Sequence, residues 1–321
     1  MIDGHKEYID IIKEDEFLAE CSEFLGTALH NEYSVPDTLP ILYKYKRLSS
    51  YSVDDICSSR FTATAIGEFN DIFDGAIQRK GSQRLNRRAY GDFNLAAYVG
   101  TYVFCLSENN NSTLMWSHYA DENKGICIEY DFNDEDKKSG LRRCLFPVAY
   151  TEEPINVLPL IENETERQYL YPHDTAILCA ALNKSTNWSY EHEWRYVEID
   201  VQAKTRRLYR DCIVPSRIIF GNRFLKPLFY YANDDAEKKK KCAEHYDLII
   251  RLADFMIENG VIGAIAVPKL GSYELETVEM PPTALKGFLQ RDSLLRSKCY
   301  EMHMYNETYY RLLGFLKKAQ P

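Results

Sequence analysis

Apolar positions recur at helical spacing over residues 5–30, where Phe17/Leu18, Cys21, Phe24/Leu25 and Ala28/Leu29 fall on one face. Pro36 and Pro40 end that helix. From residue 41 the apolar runs shorten and turn residues bound them. They predict strands over 41–45, 61–66, 101–106, 125–130, 144–150, 194–199, 212–220 and 262–267. Short helices are predicted near 51–58 and after Ser112, which can cap its own helix. Longer ones are predicted over about 166–183, 235–259 and 283–318.

The 235–259 helix has the most complete signals. Asp234, Asp235 and Glu237 suit its positive end, and Cys242, Tyr246, Ile249/Ile250, Ala253 and Met256/Ile257 form an apolar stripe. Gly260 stops it. The tail should bury Leu294/Leu295, Met302, Tyr309, Leu313 and Leu316 on one face. Strands predicted only between 41 and 267 give an α+β core over 36–270. A helical extension over 1–35 precedes it, and another over 271–321 packs on it.

Composition changes this picture little. A chain of 321 residues with 45% hydrophobic and 27% charged residues can bury one large core. The net charge of −9 removes any bulk attraction to nucleic acid. Two basic clusters remain able to hold phosphates: Arg79, Lys80, Arg84, Arg87 and Arg88, then Lys204, Arg206, Arg207 and Arg210. The plainer reading of each is a solvated loop. Nine cysteines without a C-x-x-C pair indicate reduced core thiols and a cytoplasmic location. Neither a signal peptide nor a membrane-spanning apolar run is evident.

Two blocks carry chemistry. Residues 188–195 read Trp188-Ser189-Tyr190-Glu191-His192-Glu193-Trp194-Arg195, and they hold two of the three tryptophans. The third, Trp116, lies in Leu114-Met115-Trp116-Ser117-His118-Tyr119-Ala120. In an extended segment Glu191 and Glu193 share one side and His192 faces the other. Such a pair can divide labour, one carboxylate orienting a nucleophile and the other steadying positive charge. The plainer reading is a charged strand end with Arg195 as salt-bridge partner. No metal is expected, because His118, His173 and His192 fall in no ligand spacing. Walker, G-x-G-x-x-G and G-x-S-x-G motifs are missing as well.

Several blocks together resemble an uncharacterised bacterial domain family of unknown function. They are Tyr43-Lys44-Tyr45, Phe69-Asn70-Asp71-Ile72-Phe73, Cys105-Leu106-Ser107, the Trp116 block, Lys124-Gly125-Ile126-Cys127-Ile128-Glu129, and Lys184, Trp188, Tyr190-Glu191 and Glu193-Trp194-Arg195. The resemblance spans about 41–221. A second one, to the ADP-ribosyltransferase fold, rests on element order and on Glu191-His192-Glu193, which is similar to the E-x-E opening of that fold's late strand.

The second resemblance implies a split pair of small, mostly antiparallel sheets with flanking helices, and NAD as substrate. It makes Glu193 the catalytic glutamate on the nicotinamide-side ribose and Glu191 the residue that orients the acceptor. Tyr43, Tyr45, Trp116 or Tyr119 would face the cationic nicotinamide, and Lys44, Lys184 or Arg195 would hold phosphates. Asn70, Ser107 and His118 complete the binding set. Lys44 stands where that fold usually has arginine or histidine.

The leading expectation is therefore an NAD-consuming, ADP-ribosyltransferase-like effector of a bacterial defence or toxin system. Its acceptor, protein or nucleic acid, is open. The alternatives are a non-enzymatic module that senses a nucleotide or protein, and a metal-dependent nuclease using Asp71 with Glu191 or Glu193. The C-terminal helix can form a homo-oligomer, dock a partner or simply cover the core. No membrane association is expected.

Overall fold

The structure is a computed structural model that describes residues 38–75, 99–134, 140–153, 172–200, 203, 205–229, 235–291 and 305–319. The predicted 5–30 helix, the first basic cluster at 79–88, Leu294/Leu295 and Met302 lie outside the described residues. The fold is α+β. Its strands and longer helices are β1 (Leu42–Lys46), α1 (Ser50–Cys57), β2 (Arg60–Ala65), β3 (Thr101–Ser107), α2 (Thr113–Tyr119), β4 (Ile126–Tyr130), β5 (Leu145–Pro147), β6 (Ala149–Thr151), α3 (Pro172–Ala181), β7 (Asn183–Ser185), β8 (Glu193–Ile199), β9 (Arg207–Asp211), β10 (Arg217–Phe220), α4 (Ala236–Asn259), β11 (Ile262–Pro268), β12 (Leu275–Glu279), α5 (Pro282–Arg291) and α6 (Tyr305–Ala319).

Local chemistry explains most boundaries. The Ser112 side chain accepts from the Met115 N–H and opens α2. Asp235 caps α4 through the Lys238 N–H, and Gly260, at φ 68°, closes it. Four expectations are corrected. The 144–150 run is two strands, because Pro147 has no N–H to continue the ladder. Val148 N–H donates instead to Glu193 O, and Ala149 N–H to Leu182 O. The 166–183 helix stops at Ala181, and Asn183 already lies in β7. The 212–220 run is a strand only from Arg217, after Pro215, while β9 forms earlier, inside the second basic cluster. Finally, β12 adds a strand beyond residue 267.

The chain divides into two compact units, each drawn from separate stretches. The first comprises residues up to 40, 61–108 and 132–212. In it β3 runs antiparallel to both β2 and β8, β5 flanks β8, and β9 neighbours β2. The β3–β8 register sets Ser107 opposite Glu193 and Cys105 opposite Arg195. A small parallel pair, β6 with β7, sets Tyr150 beside Lys184. Phe61 packs on Phe104 and Tyr196, with ring centroids 4.7 and 4.8 Å apart.

The second unit comprises 41–60, 109–131 and 213–321. Its sheet runs β12-β11-β10-β4-β1. β4 is antiparallel to β1 and β10, while β10 and β11 are parallel, so α4 is the crossover between them. Ile126, Ile128, Ile218, Phe220, Ile249 and Leu252 are fully buried there. On α6 the buried positions are Thr308, Leu312 and Leu316, one residue away from the predicted Tyr309 and Leu313. No helix among the described residues is long and apolar enough to cross a membrane.

Candidate functional site

The chain reaches β8 through a 3-10 turn, Thr186–Glu191, opened by the Ser185 side chain accepting from the Asn187 N–H. His192 follows in the left-handed region at φ 43°, ψ 54°, and donates its N–H to Ser189 O. The segment is therefore not extended, and the predicted alternation of Glu191, His192 and Glu193 fails. The turn nevertheless brings both carboxylates to one place. Lys184 Nζ lies 2.5 Å from Glu191 Oε2 and 3.0 Å from Glu193 Oε2. His192 itself is exposed.

Behind this pair sits Arg195, two residues along β8 on the face of Glu193. Its Nε donates to Glu193 Oε1 at 2.9 Å and its NH2 to Glu193 Oε2 at 3.0 Å. The same NH2 donates to Asp74 Oδ1 at 2.7 Å, and NH1 to Ala181 O at 2.5 Å. The Phe69 ring lies 5.8 Å from the guanidinium carbon. Lys184 Nζ is 3.9 Å from Asp74 Oδ2 and 4.9 Å from the Trp188 ring centre. Asp74, Arg195, Glu193, Lys184 and Glu191 thus form a chain of alternating charge. All five are at most 7% exposed. Three carboxylates face two cations, so the group carries one excess negative charge.

The electrostatics follow from that arrangement. Burial pushes the Glu193 carboxyl up, but Arg195 and Lys184 more than offset it and hold it at about 2, below its usual 4.5. Asp74 is raised: burial outweighs the pull of Arg195 and Lys184. Burial would lower Lys184 and Arg195, yet Glu193, with Asp74, lifts both above their usual values. The Cys105 thiol also bonds Glu193. Four donors against roughly four lone-pair positions leave Glu193 filled. Backbone contacts hold the turn: Ser107 Oγ donates to Glu191 O at 2.6 Å, and Glu193 N–H to Tyr150 Oη at 2.9 Å.

Among the expected site residues, the first unit brings together Glu191, Glu193, Lys184, Arg195 and, through a backbone carbonyl, Ser107. Asn70 is on the exposed turn before Asp74. Tyr43, Lys44, Tyr45, Trp116, His118 and Tyr119 belong to the second unit. There Tyr43 is half-buried, and burial, then Glu129, push its phenol up to about 12. Tyr45 donates to Asn109 O at 2.7 Å, and its ring meets Trp116 edge-on at 5.3 Å. Trp116 is fully enclosed, with its indole N–H on Asn110 O at 2.8 Å, so it is a core side chain and presents no free face. Lys44 and Tyr119 are half-buried and His118 is exposed.

Asp74 and Tyr150 were not singled out from the sequence. Asp74 had a local signal: the following Gly75 takes φ 65°, and a Cβ there would sit 2.7 Å from Ile66 Cδ1. Asp71 instead caps its own turn, accepting from the Phe73 N–H at 2.9 Å. Among the described residues no group of three His, Cys, Asp or Glu could hold a metal ion.

A buried carboxylate–cation network on an α+β scaffold is the class of site that the structure defines. Residues 115–196 match the family described as Protein of unknown function (DUF2971), in accord with the blocks read from the sequence. The match takes in Met115 to Ala120 of the Trp116 block and the whole of 188–195, but neither the blocks at 43–45, 69–73 and 105–107 nor Asp74. No curated protein and no solved structure matches the chain.

Proposed function

We propose that the network serves glycosyl transfer from NAD, in the manner of an ADP-ribosyltransferase, within a bacterial defence or toxin system. The observation that carries this reading is the pair of buried carboxylates, Glu191 and Glu193, sharing one ammonium at 2.5 and 3.0 Å. Breaking the nicotinamide bond builds an oxocarbenium-like cation, and a carboxylate fixed beforehand in a dry site stabilises it most. The excess negative charge of the network suits such a cation.

The geometry also redistributes the roles that the E-x-E resemblance suggests. Glu193 is filled by Arg195, Lys184 and Cys105, so it acts as the fixed anion that orients its neighbours. Glu191, which shares the Lys184 ammonium with Glu193, is the carboxylate assigned to meet substrate. Purified protein incubated with NAD should release nicotinamide and melt at a higher temperature. Glu191→Gln should lower release about 100-fold or more while keeping the fold. A wild type that neither releases nicotinamide nor gains melting temperature with NAD overturns the reading.

One observation favours the non-enzymatic alternative: the near-complete burial of all five charged side chains. On that alternative the network is a lock on the β7–β8 turn of a sensing module. A folded Glu191→Gln protein with undiminished biological effect would select this alternative.

A further inference from the structure

We propose that the turn between β11 and β12 docks into an apolar cleft of a second copy of this chain, and that the docking is reciprocal, an inference independent of glycosyl transfer. The turn is fixed by its own bonds. Lys269 N–H donates to Glu274 O at 3.0 Å, Ser272 N–H to Lys269 O at 3.2 Å and Glu274 N–H to Ser272 Oγ at 3.1 Å. Lys269 Nζ adds an ion pair with Glu274 at 3.0 Å, and Gly271 supplies a φ of 78°. Leu270 and Tyr273 are thereby held at the tip, 100% and 101% exposed. Single apolar residues on a surface are common, but two large ones held clear of the protein by an ordered turn make a contact surface.

The cleft lies at the other end of the same hairpin. Met256, Ile257, Val261, Ile262, Pro281 and Pro282 line it, and its volume is about 360 Å³. Ile257 and Ile262 are both more than two-fifths exposed. The end of α4 opens onto it. Gly260 and Val261 N–H both donate to Met256 O, which leaves the carbonyls of Ile257, Glu258 and Asn259 without an intrahelical donor. The cleft therefore offers apolar walls and acceptors, and the fitting occupant is an apolar ring that carries a donor. Tyrosine is such a group, and Tyr273 presents one on the same chain. It enters from another molecule, because the length of β11 holds a copy's tip about 20 Å from its own cleft. Area argues for reciprocity. One tyrosine buries about 150–250 Å², whereas a specific interface needs about 1,200 Å² over both partners. Two tips, each with its leucine, seated in two clefts approach that area, and two-fold symmetry closes the assembly. The tip is neutral through its Lys269–Glu274 pair, and the acidic groups near the cleft, Glu258, Glu276 and Glu279, are exposed and screened by salt.

The test is sedimentation velocity of the full chain across the micromolar range. The wild type should show a monomer–dimer equilibrium that tightens as salt rises. Leu270→Ser/Tyr273→Ser, which spoils the tip, and Ile257→Arg, which blocks the cleft, should each weaken association at least about 10-fold. An equal mixture of these two variants should associate more tightly than either alone, because an intact tip of one meets an intact cleft of the other. Tyr310→Ser, on the exposed face of α6, should change nothing. Melting curves confirm that each variant folds. A wild type that stays monomeric overturns the proposal. So does association that survives the tip and cleft substitutions, or that is lost in Tyr310→Ser. So does a mixture that associates no better than its components. Growth of the wild type beyond a dimer overturns reciprocity, since it is what open head-to-tail docking produces.

Discussion

The Trp116 block and the 188–195 block look alike in sequence, each pairing tryptophan with histidine, tyrosine and serine, yet they bury different kinds of side chain. Around Trp116 the indole and Met115 turn inward while His118 and Ser117 stay exposed. Its polar atom is satisfied locally by Asn110 O, and nothing ionised in the block is buried. In 188–195, Glu191, Glu193 and Arg195 turn inward as a set, and His192 and Ser189 stay outside. Trp194 is buried too, with its indole N–H on Glu108 Oε1 at 2.5 Å. Trp116 and Trp194 are therefore core residues, and Trp188 is only half-buried. What separates the blocks is whether charged neighbours find partners: Lys184 and Asp74 supply them to one block alone.

The sharpest way to break this contrast is to remove the centre of each block. Trp116→Ala and Arg195→Ala should each cost about 3–5 kcal/mol, the first by leaving a cavity and the second by leaving buried carboxylates uncompensated. Chemical denaturation at several pH values tells them apart. Without Arg195 the carboxyls of Glu193 and Asp74 take up protons more easily in the folded state, so the deficit should shrink as pH falls. The Trp116→Ala deficit should stay constant. Equal pH behaviour would mean that Arg195 acts by packing alone.

A second test concerns the acid limb of the wild type. Glu193 is held at about 2 against a usual 4.5, so its contribution is complete above pH 4.5 and is lost as pH falls towards 2. A difference of that size is worth about 3 kcal/mol at most. Asp74 has the opposite sign: its raised value means that ionisation costs stability, which acidification relieves. Glu193→Gln should therefore flatten the melting temperature between pH 4.5 and 2. Asp74→Asn should leave that slope in place and cost only about 1 kcal/mol, since its amide oxygen still accepts from Arg195. A steeper loss in Glu193→Gln than in Asp74→Asn would reverse the assignment of Glu193 as the centre of the network.

How far the sequence discloses this site depends on distance along the chain. The α+β class, the caps at Ser112 and Asp235, and the stop at Gly260 follow from local rules that need no partner. The Glu193–Arg195 pair is likewise readable, because positions two apart on a strand share a face. Asp74 is not: its partner lies far along the chain, and it is placed by a glycine turn and by the β3–β8 register together. The convergence of Glu191 and Glu193 was expected from strand alternation but arises from a left-handed turn at His192. β12 was missed because its two apolar residues, Leu275 and Val278, stand three apart and are only half-buried, so no two-residue alternation marks this strand at a sheet edge.

Ser107 offers a milder intervention on the charged block. Its hydroxyl donates to Glu191 O at 2.6 Å, so Ser107→Ala should cost about 1–2 kcal/mol and loosen the turn without removing a charge. On the proposed function it should lower nicotinamide release more than it lowers the melting temperature. A loss of activity proportional to lost stability would place Ser107 in the core alone.

The two histidines give the smallest and most discriminating effects. His118 is exposed at the end of α2 with ordinary helical neighbours, so His118→Ala should change stability by no more than about 0.5 kcal/mol. His192 is just as exposed but sits at φ 43°, a conformation that costs a residue with a Cβ about 1 kcal/mol. His192→Gly removes that cost and should be neutral or stabilising by up to about 1 kcal/mol, whereas His192→Val should destabilise. Differential scanning calorimetry on the three variants decides it. If glycine at 192 instead loosens the fold, the imidazole contributes to the turn by contact. If glycine and valine behave alike, the left-handed turn is not what brings Glu191 and Glu193 to Lys184.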